Sequence, residues 1–223
     1  MFSAVIFDLD GTLLDTQPDF SLVLNDLLNK HRLPPVNPGQ LLQTISSGAR
    51  AMLKLGFNLD DEDESLPELL AAFLDNYEAQ LPHTRASLYE DTDLLIAGLL
   101  ELNVPWGIMT NKTRRFSAPL VGQFESFATC SSLVCPDDVS VGKPDPAGIL
   151  AVCKALDVAP ETAVYIGDHP RDIEAARNAG MPGIAVRWGY LPAQSTPEQW
   201  GACFIANSPR HLLQYLQEQF LHR

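Results

Sequence analysis

Asp8 and Asp10 stand one residue apart, behind the short apolar run Ala4-Val5-Ile6-Phe7 and ahead of Gly11-Thr12. An apolar run with β-branched residues, bounded by a turn signal, reads as a strand buried on both faces. Two carboxylates at the end of such a strand are out of place in a core. Side chains two apart in an extended chain point the same way, so these acids crowd each other. Like charges that close raise each other's proton affinity unless a cation or fixed dipoles compensate. Gly11 lets the chain turn sharply, and Thr12 can hydrogen-bond back to a neighbouring carboxylate. The bland reading is an acidic turn capping the next helix. The sharper one is a metal-assisted carboxylate nucleophile with a partner acid/base.

Other polar residues fall at similar places. Thr110-Asn111-Lys112 follows the strand-like run 104–109, and Lys143 precedes Pro144 in a loop. Gly167-Asp168 ends the run 163–166, with Asp172 four residues on. A lone Thr-Asn or Gly-Lys-Pro is weak. Together they put four carboxylates, a hydroxyl and an ammonium outside the carboxyl ends of parallel strands, where open α/β sheets bind ligands.

The elements that must position them follow from periodicity. Helical spacing over Phe20–Leu28 is closed by Pro34-Pro35, and further helices are expected over 39–55 and 66–81. No strand pattern occurs between Leu14 and about Arg85. From there strands at 104–109, 132–135, 163–166, 183–186 and 203–206 alternate with helices over 93–102, 116–127, 146–156, 170–179 and 209–220. Ser208 is a fair N-cap for the last helix, and Gly180 suits the end of the one before it. The expected fold is α/β, a doubly wound parallel sheet formed by 1–14 and 86–223, with an α-helical subdomain inserted at 15–85.

Composition removes several function classes. The 223 residues are 46% hydrophobic and carry a net charge of −13, with a pI near 4.6. Nucleic acid and anionic membrane both need a basic face, so neither is an expected partner. Cys130, Cys135, Cys153 and Cys203 lack zinc-site spacing and are expected to be reduced thiols. No apolar run spans a bilayer, and the apolar start is too short for a signal peptide, so a cytoplasmic protein is expected. The acid run Asp60–Glu64, His169 and Lys112 read as solvated, while Trp106 and Tyr165 read as core.

Asp8-Leu9-Asp10-Gly11-Thr12, then Thr110, Lys143 before Pro144, and Gly167-Asp168 with Asp172 resemble the four motifs of the haloacid dehalogenase superfamily. The helical insert after the first motif is similar to that superfamily's cap, and the resemblance spans essentially the whole chain. Spacing and cap resemble its phosphoglycolate phosphatase-like branch. Ser47-Gly48-Ala49-Arg50, Thr110-Asn111-Lys112 with Arg115-Phe116, and Val186-Arg187-Trp188-Gly189-Tyr190 look closest to bacterial N-acetylmuramic acid 6-phosphate phosphatases. Glu90-Asp91 departs from the Pro-Gly that many relatives carry before the helix after the cap.

The resemblance implies a phosphomonoesterase with a small phosphorylated, carboxylated substrate, acting as a monomer or homodimer. Asp8 would be the nucleophile, forming an aspartyl-phosphate, and Asp10 the acid/base. Thr110, Asn111 and Lys143 would hold the phosphoryl group. Asp8, Asp168 and the backbone carbonyl of Asp10 would hold Mg2+, with Thr12 and Asp172 supporting them. Arg50 is expected to face the substrate and grip its carboxylate. A dehalogenase would not need Asp10, because halide leaves without a proton. A phosphomutase shares the acid/base requirement. Receiver-type signalling domains are about half this length and lack the insert.

Overall fold

A computed structural model describes residues 2–221. Six strands form one parallel sheet: β1 (Ala4–Phe7), β4 (Trp106–Met109), β5 (Ser132–Val134), β6 (Ala163–Gly167), β7 (Gly183–Val186) and β8 (Phe204–Ala206), in the order β5-β4-β1-β6-β7-β8. Central β1 pairs with β4 and β6, bringing Phe7 level with Ile108 and Ile166. Alternation divides the side chains between two faces. Val5, Phe7, Val164 and Ile166 join one apolar cluster, whereas Ala4, Ile6, Ala163 and Tyr165 join another. Both faces are therefore packed, which is why the strands read as continuous apolar runs.

The helices that cover the sheet are α5 (Thr92–Glu101), α6 (Arg114–Val121), α7 (Ala147–Leu156), α8 (Pro170–Asn178) and α9 (Pro209–Leu221). Ser208 Oγ accepts the His211 N–H at 3.1 Å, capping α9. Gly180, at φ +70°, follows the C-cap of α8. The expected helix over 116–127 is shorter: α6 ends at Val121, and a 3-10 segment, Glu125–Thr129, follows Gly122.

The insert is four helices: α1 (Gln17–Lys30), α2 (Pro38–Thr44), α3 (Ala49–Phe57) and α4 (Leu66–Gln80). Phe20, Leu24, Leu53, Phe73 and Tyr77 belong to the same apolar cluster as Phe7, Leu9 and Leu13. The helix expected over 39–55 is broken into α2, a 3-10 turn (Ile45–Ser47) and α3. Gly48 makes the break at φ +86°, a conformation that side-chain-bearing residues avoid.

The two chain crossings between insert and sheet form an antiparallel ribbon, β2 (Leu14–Asp15) with β3 (Ser87–Leu88). Two-residue strands carry no periodic signal, and the sequence pattern did not show them. Beside the ribbon, buried Asp19 accepts hydrogen bonds from the Arg85 N–H at 2.8 Å and from Thr84 Oγ1. Asp91, in the Glu90-Asp91 departure, adopts φ +64° and receives both Nε and Nη2 of Arg210 at 2.9 Å. Aspartate is among the residues that tolerate this left-handed conformation, so the turn survives without glycine. No helix among the described residues is long and apolar enough to cross a membrane.

Candidate active site

The strand ends of β1, β4 and β6 deliver Asp8, Thr110 and Asp168 to one edge of the sheet, and the loop before α7 adds Lys143. Lys143 Nζ lies 2.9 Å from Asp8 Oδ1 and 2.8 Å from Asp172 Oδ1. It also donates to Tyr165 Oη at 2.8 Å, and Tyr165 donates in turn to the Met109 carbonyl at 2.7 Å. Tyr165 is buried as expected, but its hydroxyl braces the ammonium, a role that a strand pattern does not reveal. Asn111 pins the same lysine from outside. Its Oδ1 accepts the Lys143 N–H at 2.8 Å, and its Nδ2 donates to the Lys143 carbonyl at 3.1 Å.

Asp168 accepts the Tyr190 N–H at 2.6 Å on Oδ2 and Thr12 Oγ1 at 3.2 Å on Oδ1. The second bond is the one Thr12 was expected to make with a neighbouring carboxylate. Glycines make room here: a Cβ on Gly11 would sit 2.2 Å from Asp168 Oδ2, and one on Gly189 would sit 2.2 Å from the Gly11 carbonyl. Asp172 is fully buried, and its Oδ2 accepts the His169 N–H at 3.0 Å.

Charge at this edge is unbalanced. Carboxylate oxygens of Asp8, Asp168 and Asp172 lie within 4.8 Å of one another, against the single ammonium of Lys143. Burial pushes Asp8 up to about 6; Lys143 opposes this and Asp172 reinforces it. Burial, then Asp172 and Asp8, hold Asp168 well above the usual carboxylate range. Burial pulls Lys143 down, but Asp172 and Asp8 outweigh it and push it up. An all-oxygen donor set with surplus buried negative charge suits a hard divalent cation such as Mg2+. Asp172 pairs with Lys143 through Oδ1 and accepts the His169 N–H on Oδ2, so it ties the lysine to the start of α8.

Asp10 lies on the cavity side of this cluster. Its Oδ1 accepts Thr16 Oγ1 at 2.6 Å and Lys112 Nζ at 3.0 Å. Lys112 is not solvated as expected. Its side chain is 6% exposed, and its ammonium lies 4.5 and 4.7 Å from the ring centres of Phe20 and Tyr77 in the insert. Those stacked rings supply the apolar surface that covers it. His169 likewise is no solvent-facing loop residue: it caps α8, accepting the Arg171 N–H at 3.3 Å on Nδ1. Burial and nearby Arg171 hold it down to about 4, so it is neutral at pH 7.

The edge opens into a cavity of about 380 Å³ lined on its other sides by residues of the insert together with Phe116 and Tyr190 of the core. Asp8, Asp10, Thr110, Asn111, Lys112, Lys143, His169 and Arg171 give it polar lining, and Phe20, Met52, Phe73, Tyr77 and Phe116 apolar lining. Arg50 does not line it. Ala49 and Met52 do, one helical turn apart on α3, and successive residues on a helix are rotated by about 100°. Arg50 is therefore turned away and exposed, on the side of Asp61, whose carboxyl Lys54 and more weakly Arg50 hold low. The guanidinium that does reach the cavity is that of Arg171, which bonds to the Ser46 carbonyl of the insert. A charged residue between Asp168 and Asp172 was the available signal.

Residues 5–186 match the family described as haloacid dehalogenase-like hydrolase. The chain is 38% identical over 209 residues to an N-acetylmuramic acid 6-phosphate phosphatase of Pseudomonas putida, covering 94% of this chain and 93% of that protein. It is 37% identical over 210 residues to a phosphoglycolate phosphatase of Xanthomonas campestris, covering 94% of each. Its fold matches the crystal structure of a predicted phosphoglycolate phosphatase from Haemophilus somnus with a TM-score of 0.85, at 22% identity over 97% of this chain and 98% of that one. With its buried acids at the strand ends, its inserted helices and relatives named as phosphatases along nearly its whole length, the chain belongs to the haloacid dehalogenase-like hydrolase family.

Proposed function

We propose that the chain is a magnesium-dependent phosphomonoesterase that cleaves a small carboxylated phosphate ester through an aspartyl-phosphate on Asp8. The observation that carries this is the placement of the Asp8 carboxylate. It stands at the mouth of β1, 2.9 Å from Lys143, in one oxygen cluster with Asp168 and Asp172, and facing the cavity. Asp8 attacks phosphorus in line and displaces the alcohol, to which Asp10 gives a proton. Asp10 then takes a proton from the water that hydrolyses the aspartyl-phosphate. Thr110 and the Asn111 backbone hold phosphoryl oxygens, and Lys143 offsets their charge. Asp8, Asp168 and the Asp10 carbonyl would hold the cation, while Asp172 and Thr12 keep Lys143 and Asp168 in place. When bound, magnesium neutralises the phosphoryl oxygens and the acids around them.

The helices of 15–85 act as a cap in this reading, with the ribbon of β2 and β3 at its root. The relatives' names offer two carboxylated esters, one a sugar and one a two-carbon acid. A cavity of 380 Å³ with an apolar wall favours the sugar, N-acetylmuramic acid 6-phosphate, since pockets of ~300–1,000 Å³ enclose ligands well beyond a two-carbon acid. Phosphate release should be measured over a panel of phosphomonoesters, with magnesium and after chelation. The proposal expects the muramic acid ester to lead the panel and chelation to stop turnover. Full activity after exhaustive chelation would remove the metal from the reading.

A further inference from the structure

The charges lining the cavity can be paired off. Lys143 is matched by Asp8 and Asp172, and Lys112 by Asp10. Arg171 is the cavity cation with no carboxylate partner among the described residues. The chain has 28 acidic residues against 15 Lys and Arg, so an unmatched guanidinium facing a cavity is not explained by a shortage of acids. A partly buried arginine without a counter-ion awaits an anion.

We propose that Arg171 holds the carboxylate of the substrate while its phosphoryl group lies at Asp8. This rests on the phosphatase reading above and names the residue that selects within it. Arg171 is the second residue of α8, between Asp168 at the end of β6 and Asp172 in the first turn of that helix, so the sheet that positions the phosphoryl site positions the guanidinium too. One N–H bonds to the Ser46 carbonyl. A guanidinium has five N–H donors, and the rest are available to a carboxylate, which it binds through two parallel bonds. Ser46, Ser47 and Gly48, which also line the cavity, are small residues. Because Arg171 touches both the sheet edge and the insert, a bound carboxylate would also join the cap loop to the core.

The test compares N-acetylmuramic acid 6-phosphate with N-acetylglucosamine 6-phosphate, which lacks the whole 3-O-lactyl group and with it the carboxylate. Wild type, Arg171→Gln and Arg171→Lys are assayed on both with magnesium present, and the quantity read is the ratio of kcat/KM values. Any loss of folded protein cancels in that ratio. Arg171→Gln should lower the preference for the carboxylated ester by roughly tenfold to a hundredfold, mainly through KM, and Arg171→Lys by less. A wild-type preference that survives in Arg171→Gln overturns the role of Arg171 and leaves the phosphatase reading standing. A wild type that shows no preference for the carboxylated ester overturns the carboxylated-substrate reading and this role with it.

Discussion

The two ends of the cavity are built on different terms. At the inner end every group is held from several sides. Lys143 reaches Asp8, Asp172 and Tyr165, Asn111 grips its backbone at both ends, and Asp168 is bonded on both oxygens. At the outer end the loop Ile45–Gly48 meets the core through the Arg171 bond to Ser46 and a 3.4 Å contact from Ser46 Oγ to the Tyr190 carbonyl. The inner end sits on paired strands that cannot shift separately. The outer end belongs to an inserted bundle that enters and leaves through a two-residue ribbon. The acid cluster is thus anchored in the sheet, and the insert that walls the cavity is tied to it less firmly.

Breaking the inner end should cost most. Asp8→Asn should lower turnover by on the order of ten-thousandfold or more while circular dichroism stays native, because the amide is a poor nucleophile and ligand. Substantial activity in the purified variant would take Asp8 out of its role. Gly189→Ala attacks the same end through space alone. Its Cβ would meet the Gly11 carbonyl at 2.2 Å and Asp168 Cβ at 2.3 Å, so Asp168 must move. A loss of roughly a hundredfold in activity is expected, with a matching rise in the magnesium needed. A variant with wild-type magnesium dependence would show that the packing around Asp168 is not what holds the ion.

The link between the two ends is tested by Tyr190→Phe. Buried Tyr190 Oη accepts the N–H groups of Thr16 and Gln17 at 2.6 and 2.9 Å and donates to Asp15 Oδ1 at 2.8 Å. The substitution leaves these groups at the root of the insert without that partner. It should cost about 2–4 kcal/mol in chemical denaturation. A cost under about 0.5 kcal/mol, the scale of an ordinary surface change, would mean that the root is held elsewhere.

The smallest effect expected is one of pH. Asp8 rises from 3.8 to about 6 on folding, and Asp168 rises well above its ordinary value. A carboxyl whose pKa is raised in the folded state contributes stability that is full below its unfolded value and lost as pH climbs through the folded one. His169, lowered from 6.5 to about 4, acts in the opposite direction. The useful reading is therefore the difference in Tm between magnesium-loaded and chelated protein. That difference should grow by roughly 2–6 °C from pH 5 to pH 8. A difference that shrinks over this range would contradict the charge imbalance at the strand ends.

How much of this was legible in the sequence follows the same division. The sheet, its order of strands and helices, and the meeting of Asp8, Asp10, Thr110, Lys143, Asp168 and Asp172 at one edge could be read, because strand-end acids break an apolar pattern that periodicity makes visible. The outer end could not. Arg50 and Met52 are two residues apart, and which of them faces the cavity depends on where Gly48 breaks the helix. Lys112 looked solvated because the rings that cover it, Phe20 and Tyr77, come from helices far away in the chain. Tyr165 looked like core because burial was visible in the pattern and the hydroxyl's partners were not.

The central claim is that Asp8 takes the phosphoryl group before water does. Asp10→Asn should still transfer phosphate from p-nitrophenyl phosphate, whose leaving group needs no proton, but should hydrolyse the adduct slowly. In a rapid-quench experiment with labelled phosphate, the account predicts a burst of about one p-nitrophenolate per chain and acid-stable label that peptide mapping places on Asp8. No burst, or label on any other residue, would contradict it.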